Sequence, residues 1–260
     1  MPATAYDQPT GLIGEGACTV PSMNAAAFDT GADDVFGRIA GRYDVLCDLF
    51  SLGIHRYWKR RVAALIAAEP WTNMLDAAAG TGDVALRVVG RDPALARRDI
   101  VVSDISPAML RIAERRILTR AAGPAFRVMD AHALADVADA SLDLYSISLG
   151  LKICDRARVM REAFRVLRPG GRFIALEASA IVLPWLHKLY LRYMDLCMPF
   201  IGWVATGGDA SAYRYLLKGV HEFPDAERLA AELREVGFAD VAYERLSLGI
   251  VAIHTGRKPA

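Results

Sequence analysis

Cysteine is scarce in this chain of 260 residues. There are four, Cys18, Cys47, Cys154 and Cys197, and no two share a C-x-x-C spacing. That excludes the usual zinc-ribbon and disulfide frameworks, expects no metal, and fits a reducing cytoplasm. Neither sign of charge dominates: 31 Lys and Arg face 30 Asp and Glu, for a net charge of +1. Such a balance offers little to a phosphate backbone, so no nucleic-acid partner is expected. Long apolar runs are missing as well. The most apolar stretch, LCMPFIGWVA at residues 196–205, is too short to span a bilayer and contains Pro199 and Gly202. The start of the chain lacks a basic segment followed by an apolar core, so no signal peptide is expected. Internal repeats and low-complexity linkers are absent.

What is present is material for a core. Hydrophobic residues make up 53% and charged residues 23%, with a mean hydropathy of +0.22, which excludes global disorder. Residues 1–30, rich in Gly, Pro, Ala and Thr, read as a mobile N-terminal arm. Residues 31–68 read as a helical cap in two pieces, broken near SLGIH. From residue 73 strand and helix patterns alternate. NMLDA, DIVVSDI, AFRVMD, SLDLYSISL and RFIALEA are strands. DVALRVV is a helix, and so is SPAMLRIAERRILTR, with Ser106 as N-cap and Pro107 at the first position. RARVMREAFRVL is a third helix, stopped by Pro169-Gly170-Gly171. Alternation of this kind predicts a doubly wound α/β fold with a parallel sheet. Residues 181–220 read as helical and aromatic, PDAERLAAELREVG as an amphipathic helix, and DVAYERLS with GIVAIHTG as an antiparallel pair.

The segment MLDAAAGTGDVALRV carries the strongest chemical signal. Gly80, Gly82 and Ala85 fit the G-x-G-x-x-A turn that binds dinucleotides. Two acids, Asp76 and Asp83, flank it. They would repel a pyrophosphate and suit the cationic sulfonium and ammonium of S-adenosylmethionine. Asp104 ends the second strand, where an acid accepts ribose hydroxyls from either ligand. Asp130 and Ala131 follow the third strand and can read an adenine edge, and Met109 can pack on the adenine face. Ligands bind at the carboxyl ends of parallel strands, and Asp76, Asp104 and Asp130 all fall there.

Five segments together resemble the ubiquinone/menaquinone-biosynthesis C-methyltransferases, a class I S-adenosylmethionine-dependent family. They are VFGRIAGRYDVLCDLFSLGIHRYWKRRV, MLDAAAGTGDVA, REAFRVLRPGGRFIALEAS, SAYRYLLKGVHEFPD and GIVAIHTG. The resemblance implies a Rossmann-like class I methyltransferase sheet of seven strands, mostly parallel with an antiparallel last strand. Helical caps lie at the N-terminus and after strand five. Residues 31–260 would form a single methyltransferase domain, with 181–220 an inserted substrate lid. The cofactor set is Tyr43, Asp76, Gly80, Thr81, Gly82, Asp104, Ile105, Met109, Asp130, Ala131 and Ser148, and within it the resemblance implies contacts at Thr81, Asp104, Asp130, Ala131 and Ser148, with Tyr43 covering the cofactor. The chain departs from the family pattern twice. Lys152-Ile153 stands in place of an Arg-Asn pair, and the turn reads AAAGTGD where the family has a further glycine.

Methyl transfer from a sulfonium asks the protein mainly for alignment. Methylation of a ring carbon also needs a base to ionise a phenol of ordinary pKa about 10. The catalytic candidates are His55, Tyr43, Lys152 and Glu177, with His187 also weighed. The alternative for His55 is packing within the cap, and for Glu177 a structural ion pair. His132 and His254 read as structural, and His221 as a surface residue. Trp185, Tyr190, Tyr193, Phe200 and Trp203 read as a substrate lid, the plain alternative being core. The run HRYWKRR reads as a solvated face or as a contact for anionic lipid. The expected partner is a hydrophobic, aromatic small molecule, a quinone precursor by resemblance. Peripheral membrane contact and a homodimer stay open. So do a tailoring C-, O- or N-methyltransferase, an S-adenosylmethionine-dependent cyclase, an NAD-dependent oxidoreductase (disfavoured by Asp76) and a non-catalytic binding protein.

Overall fold

Apolar residues on both faces of the central strands decide the architecture. The computed structural model describes residues 40–92, 94–121, 123–206, 217 and 219–260, so the expected N-terminal arm lies outside the described residues. Strands β1 (Asn73–Ala77), β2 (Asp99–Asp104), β3 (Ala125–Val128), β4 (Leu142–Ser148), β5 (Leu167–Ala178), β6 (Ala239–Leu246) and β7 (Val251–Arg257) form one sheet in the order β3-β2-β1-β4-β5-β7-β6. The first five pair in parallel, and β7 runs antiparallel between β5 and β6. The seven-stranded α/β reading therefore holds, with β7 as the reversed strand.

Side chains alternate across a strand. Met74, Leu144, Ile174 and Ile253 pack on one face, against helices α2 (His55–Ala67), α3 (Asp83–Val89) and α4 (Pro107–Leu118) through Val62, Ile66, Val88 and Ile117. Leu75, Tyr145, Phe173 and Ala175 pack on the other, against α5 (Arg156–Val166) and α7 (Ala226–Val236) through Val159, Ala163, Leu229 and Leu233. Helix α1 (Tyr43–Ser51) and the long α6 (Pro184–Thr206) pack together over the carboxyl edge of the sheet. Among the described residues no helix is long and apolar enough to cross a membrane.

The expected caps appear as drawn from the sequence: Ser106 accepts from the Met109 amide, with Pro107 at the head of α4. One boundary differs. Helix α5 ends at Val166, ahead of Pro169-Gly170-Gly171, and Leu167 already pairs with Leu142 in the sheet. Register then jumps, since Leu144 pairs with Arg172, so Arg168–Gly171 bulge from the strand instead of stopping the helix.

Gly82 shows how local sequence sets the position of the site. It has φ of +75°, caps α3, and a Cβ there would lie 2.8 Å from Ala113 Cβ and 2.9 Å from Ile117 Cδ1. The absent side chain lets α4 lie against the turn. Gly82→Ala should lower stability by about 2–4 kcal/mol in urea unfolding, combining left-handed strain with overpacking. Gly170→Ala is the control. Its φ is +78° but nothing lies within 4 Å of its Cβ, so it should show only the backbone cost, about 1–2 kcal/mol.

Candidate active site

The strand order reverses between β1 and β4, and the crevice outside their carboxyl ends is where such sheets hold ligands. After β1 the chain turns through left-handed Ala78 (φ +47°), Gly80 (+57°) and Gly82 (+75°). Ala79, where the resemblance expects glycine, is not among the left-handed residues. Asp104 ties the end of β2 to this turn. Its Oδ2 accepts from the Gly80 amide at 2.7 Å and its Oδ1 from the Ser106 amide at 2.9 Å.

A cavity with an empty volume of about 1070 Å³ lies over the turn. Ten of the residues expected to hold the cofactor line it: Tyr43, Asp76, Gly80, Thr81, Asp104, Ile105, Met109, Asp130, Ala131 and Ser148. Gly82 does not; it faces α4, as its contacts with Ala113 and Ile117 require. Lys59, Met129, His132, Leu149, Ile153 and Cys154 also line the cavity and were not foreseen as contacts. They reach it from a helix and from the two segments that follow β3 and β4, and no local motif marks them.

Two buried polar atoms of this cavity, Asp76 Oδ2 and Ser148 Oγ, have no hydrogen-bond partner among the described residues. Asp76 Oδ1 accepts from Ser146 at 2.6 Å. Burial pushes the Asp76 carboxyl up to about 6. An orphaned acid and hydroxyl beside a glycine turn fit a ligand that brings its own donors and positive charge, as the ammonium and sulfonium of S-adenosylmethionine do.

Asp83 does not share that role. Burial alone would raise its carboxyl, but Lys59, Arg87 and Arg116 more than offset this and hold it well below the usual carboxylate range. Lys59 Nζ lies 3.2 Å and Arg116 2.7 Å from its oxygens. Asp83 lines the cavity too, but the expectation that it offers its charge to the ligand is corrected, because Lys59, Arg87 and Arg116 already pair with it. Arg116 also donates to the Thr81 carbonyl (2.9 Å) and pairs with Asp44 on α1 (3.0 Å), while Thr81 Oγ1 donates to Asp44 (2.7 Å). This clasp holds the cap on the turn.

A second, largely apolar cavity, with an empty volume of about 1310 Å³, adjoins the first, and Tyr43 and Leu149 line both. Leu46, Phe50, Trp58, Tyr190, Tyr193, Met194, Met198 and Ile250 supply much of its wall, with His55 and Lys152. No carboxylate lines it among the described residues. Of the five aromatics expected in a lid, Tyr190 and Tyr193 line this cavity, Trp185 and Phe200 face outward, and the Trp203 side chain lies outside the described residues.

The hydrogen bonds fix the state of His55. Ser51 gives its one hydroxyl proton to the Cys47 carbonyl (2.6 Å), so at 2.8 Å from His55 Nδ1 it can only accept. Nδ1 therefore carries the proton and Nε2 the free lone pair. Burial, and then Lys59, lower the His55 pKa, while Asp83 at 4.0 Å and Asp48 at 3.7 Å stand ready to stabilise an imidazolium.

The other catalytic candidates separate. Glu177 is fully buried and lines neither cavity; it accepts from the amides of Leu151 (2.6 Å) and Ala178 (3.1 Å) and lies 3.8 Å from Lys152 Nζ. Its catalytic reading is corrected to a structural one, since both oxygens are already committed. Tyr43 is placed to cover the turn, near where a Cβ on Gly80 would sit. Repulsion from Cys47, then burial, raise its phenol well above the ordinary value, which removes it as a base. Lys152 lines the second cavity, with its ammonium on the Leu149 carbonyl. His187 accepts from the Ile181 amide at 3.4 Å and lines neither cavity. His254, buried, bonds the Ala226 carbonyl, and His221 pairs with Asp195 at the surface.

Residues 24–258 match the model of the ubiE/COQ5 methyltransferase family. Among similar proteins is the ubiquinone/menaquinone biosynthesis C-methyltransferase UbiE of Acidiphilium cryptum, 42% identical over 228 residues, covering 86% of this chain and 88% of that one. UbiE of Paracoccus denitrificans is 42% identical over 229 residues, covering 86% and 89%. The fold is similar to a Thermotoga maritima S-adenosylmethionine-dependent methyltransferase described as a possible histamine N-methyltransferase, with TM-score 0.61 and 18% identity over 87% of this chain and 99% of that one. It is also similar to the CurJ carbon methyltransferase, with TM-score 0.59 and 15% identity over 78% and 54%.

Asp76 yields a prediction with two opposed readouts. Its folded pKa of about 6 lies above the ordinary 3.8, so ionised Asp76 costs stability above pH 6, and the cost fades as pH falls toward 3.8. Asp76→Asn should stabilise the ligand-free protein at pH 8 by up to about 3 kcal/mol, with no gain near pH 4. The same change should weaken S-adenosylmethionine about tenfold to a hundredfold in titration calorimetry. Wild-type affinity should itself fall as pH drops below 6.

Proposed function

Since the chain belongs to the ubiE/COQ5 methyltransferase family, we propose that this S-adenosylmethionine-dependent methyltransferase methylates a ring carbon of a hydrophobic quinone precursor. The observation that carries this is the apolar cavity, which meets the cofactor cavity at Tyr43 and Leu149 and holds a neutral His55 and a cationic Lys152. The names of the relatives support the quinone class. Asp76, Asp104, Asp130, Met109 and the Gly80–Thr81 turn are the residues assigned to the cofactor.

Bound S-adenosylmethionine supplies an electrophilic methyl group. His55 Nε2 takes the phenolic proton of the acceptor, and Asp83 and Asp48 stabilise the imidazolium that results. Lys152, with donors to spare beyond the Leu149 carbonyl, steadies the ring oxyanion. The apolar walls exclude water from the reacting carbon. Once the methyl has passed from sulfur to that carbon, His55, having released the phenolic proton to solvent, takes the ring proton and the ring regains its aromaticity. At the acceptor cavity the single ammonium of Lys152 stands where a forked Arg is expected from the family, while Ile153, where an Asn is expected, lines the cofactor cavity instead. One ammonium favours an acceptor with one ring oxygen to hold beside it.

The test is turnover of methyl-labelled S-adenosylmethionine on a prenylated phenol, with the label located by NMR. Label on a ring carbon is the expected result; label on oxygen or nitrogen, or none, overturns the proposal. His55→Ala should lower kcat about 10²–10⁴-fold. It should also remove the acid limb of the kcat profile, which lies below pH 6.5 because His55 is lowered from that value. Saturating cofactor separates this limb from the binding limb of Asp76.

Peripheral membrane contact is proposed through the outer face of α6. Trp185, Leu189, Tyr193, Leu196 and Phe200 are exposed along one stripe, flanked by exposed Lys188 and Arg192. Tyr193 also lines the acceptor cavity, so the stripe borders its wall. Flotation with anionic vesicles should carry the protein upward, and Trp185→Glu with Phe200→Glu should abolish this. A protein that stays below, or one that buries the stripe in a homodimer on sedimentation, overturns the membrane reading.

A further inference from the structure

His132 lines the cofactor cavity beside Asp130, and its ring is held at both nitrogens. Nε2 receives the Asp155 amide at 2.9 Å. A backbone N–H can only donate, so Nε2 must carry a lone pair and the single ring proton of the neutral imidazole sits on Nδ1. That proton points to Asp130 Oδ1 at 2.6 Å, and the His132 amide donates to the same oxygen at 2.9 Å. A carboxylate torsion is broad when unrestrained. Two donors on one oxygen pin it and leave the other oxygen, Oδ2, as the acceptor for whatever occupies the cavity. Asp155 in turn caps α5 by accepting the Arg158 amide at 3.1 Å. His132 is therefore a strut between the loop after β3 and the segment that carries Ile153 and Cys154.

We propose that His132 is a positioning residue for the cofactor: its Nδ1–H sets the carboxylate of Asp130 so that Oδ2 meets the exocyclic amine of the adenine. This rests on the reading of Asp130 as the adenine contact. The consequence is selectivity for the base. An oxygen in place of the amine would face Oδ2 with two acceptors opposed, and the strut prevents the carboxylate from turning away.

The experiment compares binding of S-adenosylhomocysteine with binding of its deaminated analogue, S-inosylhomocysteine, by calorimetry on the full chain. Wild type should prefer the adenine form at least about tenfold, the size of one hydrogen bond to a charged group. His132→Asn places an amide N–H near Nδ1 and should keep the preference. His132→Gln reaches the place of Nε2, keeps an acceptor for Asp155 and loses the donor to Asp130. Its preference should fall toward one, because the freed carboxylate meets the amine less well and can turn away from the inosine oxygen. His132→Leu, with no polar atom, serves as the second donorless variant should Gln fail to fold. A donorless variant that keeps the wild-type preference, or one that weakens both ligands equally, overturns the role of His132. A wild type with no preference overturns the reading of Asp130 and this proposal with it.

Discussion

The buried carboxylate of Asp83 is the interaction on which the rest of the site depends. It opens α3 directly after the glycine turn, and cations reach it from α2, α3 and α4: Lys59, Arg87 and Arg116. A charge this deep is tolerable only when paired, and removing one partner of such a pair typically costs about 3–5 kcal/mol. Because Arg116 also holds Asp44 and the Thr81 carbonyl, the cluster fixes the cap helix, the turn and the floor of the cavity in one arrangement. The turn can then carry strained backbone at Ala78 without relaxing.

Asp76 is treated in the opposite way. It is as buried as Asp83, yet one of its oxygens has no partner among the described residues. Two acids seven residues apart in sequence thus divide the work. The first is left in need of a cation, and the second is supplied with three. The folded protein carries an unfavourable buried acid that a cationic ligand would relieve, which is how a binding site stores affinity at the expense of stability.

Much of this was legible in the chain. The period-two and helical patterns gave the strands and most helix starts, because each element buries one stripe and shows it in sequence. The strand-end acids Asp76, Asp104 and Asp130 line one cavity, as their places in the sequence led one to expect, since parallel strands bring their carboxyl ends together whatever the loops do. The role of Gly82 was not legible, because a ligand contact and a helix contact both require glycine there. Asp83 was misread for the same kind of reason: its partners Lys59 and Arg116 lie 24 and 33 residues away and meet it only after folding. Glu177 ends a strand like the catalytic acids of many sheets, and only the amides of Leu151 and Ala178 reveal it as structural.

Tyr43 and Leu149 are walls common to both cavities, so neither chamber can be reshaped from that side alone. The helix that carries Tyr43 over Gly80 also supplies Leu46, Cys47 and Phe50 to the second cavity. A substitution that tilts this helix therefore alters the two chambers together, and specificity for one ligand is tied to the fit of the other.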